Sequence, residues 1–581
     1  MSCNINVVIN KSKNTNPLLS EKSAFLSFPY NENLINYIKN LRFRFYDASN
    51  KTWEIEYKEL VPLCKTFKDC TFNIADRYVE PTKPIYNLQI PTNYKFNLQP
   101  LPFQKDGIIY GLNHPKFLLA DQMGLGKTLQ SIYISDIEST GKVLVICCSA
   151  SLKYNWVEEL YKTLNREDSY VLGTRIKGKN NKSYEGTGKD KYEDLENLVQ
   201  IPQKYIITNR ELLLYDSHKQ GNKNIFPVAD KINELCQQGV ISCIIVDEFH
   251  KGLKDPTTKS SKALLKITDC KYKIALTGTP VLNTPLDIYV ILQWLNIINE
   301  KINFWTFKNT FAYLDDFGGY QSPKNLPQLS KLLRDNMLRR EKSDQLNLPS
   351  KLYKDEYVEM GTKQTNLYNV VKRGIQDELH TMTHSTEPLA KLINLRKVTG
   401  QPSVIDNSLQ SDDNAKLLRL KDLVEEIIEN NEKAIIYTNW TTTANLLKTT
   451  FKKYNPAYIT GEVNQMQRLN EVKKLQEDES CKLLIGDSAM GVGLTMTKAT
   501  YLIFYDFPWT KGEKDQIEDR IHRIGQTKTT TIINLMCKNT IDEGIYQLVE
   551  KKGRMADYVV DGRIDTKSFK NLVQALLDFG K

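Results

Sequence analysis

Nothing in this sequence is long and apolar enough to cross a bilayer. Its apolar runs, such as ISCIIV at 241–246, fall far short of the roughly 20 residues that a spanning helix needs. The first residues, MSCNINVVINKSKNTN, lack the charged segment and long apolar stretch of a secretory signal, so none is expected. Cysteine pairs at CxxC spacing are missing as well. The ten cysteines are scattered, several inside apolar runs where a reduced thiol behaves as a small hydrophobe, and the expected compartment is a reducing cytoplasm. Histidine is scarce, at six residues. His380 and His384 stand four apart, but no carboxylate or cysteine cluster completes a metal site at known spacing, and a zinc site is not expected. No period of 20–50 residues recurs, which argues against a solenoid or propeller.

What is present is enough chain for several compact units. The 581 residues correspond to about three or four domains. Apolar residues at 40% and charged residues at 25% match ordinary globular usage and exclude global disorder. Lys and Arg exceed Asp and Glu by 79 to 69, for a net charge of +10. An acidic polymer is therefore a plausible partner, although charge does not choose DNA over RNA.

Short β-branched runs alternate with helical stretches: FLLA (117–120), VLVICC (143–148), YIIT (205–208), CIIV (243–246) and KIALTG (273–278). The alternation restarts at AIIYTN (434–439) and continues through KLLIGD (482–487), YLIFYD (501–506) and TIINLM (531–536). This pattern predicts parallel βαβ units in two α/β lobes. Between the lobes, about 286–430 has helical periodicity and few strand candidates, and reads as helical insertions plus a linker. Residues 174–194 have Gly, Lys and Asn without a hydrophobic period; they read as a solvated loop, or more sharply as a basic loop that contacts DNA.

FLLADQMGLGKTLQSIYI (117–134) sets a buried strand, a glycine-rich turn and a helix in succession, as a phosphate-binding loop requires. Gly124 and Gly126 admit the approach of backbone amides to phosphate oxygens, Lys127 brings charge to the terminal phosphates, and Thr128 is placed to ligate Mg²⁺. Met123, Leu125 and Leu129 complete the nucleotide-binding segment. The strict pattern has glycine where Asp121 stands, so this is a variant loop. Asp247 and Glu248 follow ISCIIV and should sit at the C-terminal mouth of a parallel strand. There Asp247 would hold Mg²⁺, and Glu248 would orient and polarise the attacking water; otherwise they would be an acidic pair that caps a strand. Arg520 and Arg523, three apart on an expected helix, would face one side and supply arginine fingers.

ADQMGLGKT, VDEFH (246–250), LTGTP (276–280) and DQIEDRIHRIGQT (515–527) together resemble the Swi/Snf (Snf-two) family of helicase superfamily two. The last run is the most diagnostic: Gln516, Asp519, Arg520, His522, Arg523, Gly525 and Gln526 fit the family's arginine motif. In the same order, Gln104 resembles the adenine-side glutamine, SLKYNWVEEL (151–160) motif Ia, ITNREL (207–212) motif Ib, MLRREKSDQLNLPSK (337–351) the brace, and DSAMGVGLTMTKA (487–499), with Gly491 and Gly493, motif V. His250, Thr277, Gly278 and Thr279 fall inside the motifs. The resemblance covers about 95–550 and implies two RecA-like lobes with parallel sheets that hold ATP between them and track along duplex DNA. Three positions depart from the family: Phe249 replaces a small residue, Ser149 a proline, and Gln122 an acidic residue. Of these Phe249 is the one placed to alter coupling, because a large ring must displace neighbours in a dense core.

Residues 1–95 form a small α/β module outside the lobes, followed by lobe one at 96–345 and by a helical linker with lobe two at 346–581. In the module FPYNENLINYIKNL (28–41) puts Leu34, Ile35, Ile38 and Leu41 on one helical face, and TWEIEY (52–57) alternates Trp53, Ile55 and Tyr57 with polar residues. PYNENLINYIKNLRFRFYDASNKTWEI resembles the HARP motif of annealing-type family members, which reads branched or forked DNA. The matching residues are Tyr30, Asn31, Tyr46, Asp47, Thr52 and Trp53, with Lys39, Arg42 and Arg44 adding charge; the competing reading is a structural cap. The expectation is an ATP- and Mg²⁺-dependent double-stranded-DNA translocase that remodels branched DNA by annealing or branch migration. A strand-separating helicase, a remodeller of protein–DNA complexes and a non-enzymatic DNA-structure-binding scaffold are the alternatives.

Overall fold

The computed structural model describes residues 3–11, 22–41, 44–76, 86–148, 152–177, 182–221, 223–278, 280, 284–299, 301–314, 318–346, 348–381, 387–491 and 494–551. The chain divides into two compact units, one of residues 1–89 with 299–337 and the other of 90–298 with 338–581. Among the described residues no helix is long and apolar enough to cross a membrane.

In the first unit a five-stranded sheet runs in the order Arg44–Asp47, Thr52–Glu56, Lys22–Ser27, Cys3–Lys11, Cys70–Asp76. Alternate residues of the central strands, Ile5, Val7 and Ile9, turn to one face and meet Leu34 and Ile38 of the helix Glu32–Asn40, as the two-residue period of a strand requires. Ile55 joins this core, while Trp53 packs at its margin. The alternation expected through Tyr57 stops one residue short: Tyr57 lies in the 3₁₀ turn Tyr57–Glu59 and is exposed. Asn31 and Asp47, both in the HARP-like string, have local structural work. Asn31 caps the helix by accepting from Leu34 N–H, and Asp47 closes the hairpin turn by accepting from Ser49 and Asn50 N–H.

The second unit contains two parallel α/β lobes. In lobe one six parallel strands lie in the order Lys116–Leu119, Tyr272–Leu276, Ile241–Asp247, Lys142–Cys147, Tyr205–Asn209, Ser169–Val171. Lobe two orders its six as Lys351–Val358, Thr530–Cys537, Tyr501–Phe504, Ala434–Tyr437, Leu483–Gly486, Ala457–Ile459, again all parallel. Helices cover both faces of this second sheet. Ile435 and Tyr437 therefore enter one core and Ala434 and Ile436 the other, which is why the strand reads as an unbroken apolar run.

Two expectations need correction. The inter-lobe stretch contains the full strand Lys351–Val358, an edge strand whose residues are mostly exposed, so apolar periodicity does not mark it. Residues 174–194 are not a featureless loop. They form the hairpin Thr174–Lys177 with Lys182–Glu185, then the helix Gly188–Glu196. Polar ties replace a hydrophobic face here: Thr187 and Asp190 make a capping box, and Arg175 Nη1 pairs with Asp194 Oδ1 at 2.9 Å.

Candidate functional site

The C-terminal ends of the parallel strands share one edge of lobe one, and the chemistry gathers there. After the strand Lys116–Leu119 the chain turns through Gly124 (φ +84°) and Gly126 (φ +77°) into the helix Lys127–Glu138. Glycine is required at both, since an L side chain rarely adopts this region; a β-carbon on Gly126 would also come within 2.4 Å of Gln104 Nε2. Gln104 holds the loop by donating to the Leu125 carbonyl at 3.1 Å. Leu125 and Leu129 are buried, and Met123 packs on Gly278, where a β-carbon would meet its Cγ at 2.7 Å. This segment is thus bound to its surroundings by packing, which leaves its backbone amides pre-set around the turn. Thr128 follows Lys127 in the first turn of the helix.

Lys127 Nζ donates to the Asp121 carbonyl at 2.9 Å. Burial pulls its pKa down, and the carboxylates of Glu248, Asp121, Asp247 and Asp519 oppose that pull. Lys127→Ala removes the ammonium at the start of the helix Lys127–Glu138, beside the Glu248 and Asp247 carboxylates. The expected result is a fall in kcat of roughly 10²–10³ with DNA affinity retained, measured by ATP turnover beside fluorescence anisotropy on duplex DNA.

Asp247 ends the strand Ile241–Asp247 and accepts from Trp156 Nε1 at 2.9 Å and from Glu248 N–H at 2.9 Å. Burial and the adjacent Glu248 charge push its pKa up to about 6. Glu248 itself sits at φ +52°, a left-handed conformation that costs a non-glycine residue about 1–3 kcal/mol and aims the side chain away from the strand direction. Its Oε2 is buried without a hydrogen bond; His250 Nδ1 is 3.4 Å away and donates or accepts at 2.8 Å with Thr277 Oγ1. Burial lowers His250 to about 4, so its imidazole is neutral at pH 7. Phe249 is accommodated without disturbing these groups: its ring is fully buried against Trp294, with centroids 5.6 Å apart.

Lobe two brings its arginines to the same place, but not on one helical face as expected. Arg520 is in the helix Lys511–Ile521, whereas His522 caps that helix and Arg523 lies in the turn beyond it. Arg520 Nη2 donates to the Gly491 carbonyl at 2.9 Å. Burial draws its pKa down to about 10, against the pull of the Glu248, Asp519 and Asp247 carboxylates. Arg523 Nη1 donates to Thr495 Oγ1 at 2.8 Å, and its Cβ would lie 3.2 Å from a β-carbon on Gly124. Arg523 therefore flanks the phosphate loop while Arg520 is coupled to the acidic pair. Gln516 Oε1 accepts from Lys251 Nζ at 3.3 Å, a second tie between the lobes, and His522 Nε2 meets the Pro349 carbonyl at 2.7 Å.

Thr279, Gly493, Arg42, Ser149 and His384 lie outside the described residues, as does the side chain of His380. Arg44 donates to the Leu41 carbonyl at 2.8 Å; with Tyr46 and Trp53 it belongs to the first unit. Several residues that build the site were missed from the sequence. Trp156 holds Asp247, and Arg340 Nε donates to Asp121 Oδ1 at 3.0 Å. The signal for the second was present: an aspartate in place of the loop's first glycine had to find a cation once buried, and two adjacent arginines occur in MLRR.

A phosphate-loop lobe closed by a second parallel lobe that carries arginines defines the ATP-hydrolysing, helicase-like class, and the chain is an enzyme of that class. More particularly, residues 38–404 match the SNF2-related domain and residues 415–525 the helicase conserved C-terminal domain, and the chain belongs to the SNF2-related family. It is 28% identical over 535 residues to an uncharacterized ATP-dependent helicase of Mycoplasma genitalium, covering 88% of this chain and 48% of that protein. It is 26% identical over 485 residues to the DNA annealing helicase and endonuclease ZRANB3 of Mus musculus, covering 81% of this chain and 41% of the relative. The chain thus spans about half the length of the curated relatives it matches. Among solved structures, the Sulfolobus solfataricus SWI2/SNF2 ATPase core in complex with dsDNA matches at 25% identity and a TM-score of 0.37, over 84% of this chain and 97% of that one.

Proposed function

We propose that this chain is an ATP-driven translocase on double-stranded DNA that remodels branched or forked DNA, by annealing strands or migrating a branch. The observation that carries the motor part is Arg523 of lobe two lying against the phosphate loop of lobe one. Hydrolysis can then be coupled to lobe movement, since the charge that develops on the transferred phosphoryl group is compensated only when the lobes are together. Family membership and the relative named as a DNA annealing helicase support DNA as the track. Contacts of such a motor go to phosphates, so its recognition is independent of sequence and weakens as salt rises.

The donor set fits Mg²⁺-bound ATP. Glu248 Oε2 is buried and accepts no hydrogen bond, and the adjacent Asp247, pushed up in pKa by burial and by the Glu248 charge, is a carboxylate that a cation would satisfy. Asp247 and Thr128 would hold the metal, and the metal would neutralise charge on the phosphates; Gln104, whose amide is bonded to Leu101 N–H and the Leu125 carbonyl, would support the loop.

Fork preference is assigned to the first unit on its HARP-like string. Tyr46 and Trp53 are cross-strand partners with ring centroids 4.9 Å apart. Tyr46 is 46% exposed and, two residues from Arg44 on the same strand, shares its face of the hairpin with that cation. Stacking on an unpaired base contributes roughly 1–3 kcal/mol. Tyr46→Ala is therefore expected to abolish a preference for forked over linear duplex of about fivefold or more, with ATPase on linear duplex and melting temperature unchanged. Competition binding and DNA-stimulated ATPase on both substrates measure this. A variant that keeps its full fork preference, joined by the same result for Trp53→Ala, would leave this hairpin a structural cap.

A further inference from the structure

Residues 338–342 run along the phosphate loop and are bonded to it repeatedly. Ala120 N–H donates to the Leu338 carbonyl at 2.7 Å, and Gln122 N–H to the Arg340 carbonyl at 2.9 Å. Arg339 Nη1 donates to the carbonyls of Ala120 and Gly278, each at 3.2 Å. Arg340 closes on the buried Asp121 carboxylate and on Gln130 Oε1 at 2.6 Å. Gln122 Oε1, at a position where the family more often has an acid, accepts Lys342 N–H at 2.8 Å. This strap is therefore part of the loop's own hydrogen-bond framework.

At Lys342 the strap leaves lobe one. Its Nζ donates to Asp519 Oδ1 at 2.6 Å and to the His522 carbonyl at 2.9 Å. Those acceptors are one residue before Arg520 and one before Arg523. A β-carbon on Gly124 would meet Lys342 Cε at 2.9 Å and Arg523 Cβ at 3.2 Å, so the lysine stem crosses the loop beside the arginine. The residue is 7% exposed. A buried ion pair of this kind contributes little net stability over an apolar pair of the same shape, and its value lies in selecting one arrangement.

We propose that Lys342 is a positioning residue for ATP hydrolysis: it fixes the His522–Arg523 turn against the phosphate loop, so that Arg523 is aimed at the nucleotide phosphates only while the strap is seated. This rests on the reading of Arg523 as the lobe-two arginine of the ATP site. Replacement of Lys342 leaves Asp519 with Lys351 Nζ at 3.8 Å as a cationic neighbour, and the melting temperature reads what the lost pair costs the fold.

The test is a double-mutant cycle in the full chain, using Lys342→Met, Arg523→Ala and the double variant, with DNA-stimulated kcat, equilibrium ATP binding and melting temperature measured for each. Misplacing a reacting group by about 1 Å costs about 10²-fold in rate, so Lys342→Met should lower kcat by about that factor while ATP affinity changes less than about twofold. The double variant should be no slower than Arg523→Ala. Multiplying effects would overturn the inference and leave a structural role, as would kcat of Lys342→Met within about twofold of wild type. Loss of ATP affinity in proportion to kcat would overturn it too, making Lys342 a nucleotide contact. Wild-type kcat in Arg523→Ala would overturn the arginine reading and this inference with it. Where Lys342→Met folds poorly, Asp519→Asn loosens the same tie from lobe two and should give the same kcat loss at unchanged ATP affinity.

Discussion

Glu248→Gln is expected to bind ATP almost as wild type does and to hydrolyse it about 10²–10⁴ times more slowly, the range that a positioned general base contributes. The two side chains are nearly isosteric, so the packing around Phe249 and Trp294 is undisturbed, and Asp247 keeps its bonds from Trp156 and from the residue-248 amide. What is lost is a buried carboxylate oxygen that accepts no hydrogen bond in the folded chain. Burial pushes the Glu248 pKa up, but neighbouring charges, among them Lys251, Lys127 and Arg520, outweigh it and hold the pKa below its usual value. Yet an oxygen buried without a hydrogen bond on a left-handed backbone costs free energy, which stability alone does not account for. A strand-ending cap would have its oxygens occupied by N–H groups. Single-turnover hydrolysis with preformed enzyme–ATP complex separates binding from chemistry. Rapid turnover by the glutamine variant would take Glu248 out of the reaction and return it to a structural part.

The sequence announced its central strands and its motifs, and it was silent where the physics is non-local. Runs such as VLVICC and AIIYTN could be recognised because strands covered on both faces are apolar throughout. Lys351–Val358 could not, because its place at the sheet edge leaves most of its side chains exposed. The hairpin and helix within 174–196 stayed hidden for a related reason, since they are held by the Arg175–Asp194 pair and a capping box instead of an apolar stripe. In the site, Gly124, Lys127, Asp247 and Glu248 belong to short motifs whose spacing carries their geometry. The pairs Trp156–Asp247, Asp121–Arg340 and Lys342–Asp519 join residues far apart in the chain. For those, a buried charge implies that a partner exists without saying which residue it is. The error over Arg523 has a local cause: spacing of three puts two residues on one face only while the helix continues, and this helix ends at Ile521.

That ending separates the two arginines in function and makes Arg523→Ala the more informative variant. Arg520 donates to the Gly491 carbonyl inside its own lobe and is surrounded by protein, so its removal unsettles motif V together with any effect on chemistry. Arg523 gives one hydrogen bond to Thr495 Oγ1 within lobe two, its Cβ lies beside the phosphate loop at Gly124, and its charge interacts with Glu159 and Asp519. In the proposed role of arginine finger, its guanidinium would compensate charge that appears on the phosphoryl group mainly in the transition state, an effect of about 10³–10⁵ in rate. Arg523→Ala should therefore lower kcat by about that factor while ATP affinity and melting temperature stay near wild type. Arg523→Lys should recover little of the loss, because an ammonium lacks the planar fork that spans two phosphate oxygens. Steady-state kinetics with duplex DNA, equilibrium nucleotide binding and thermal melting distinguish the outcomes. A large loss of ATP affinity at unchanged kcat would make Arg523 a ground-state phosphate ligand, and a drop in melting temperature matched by normal turnover of the folded fraction would make it a strut between the lobes.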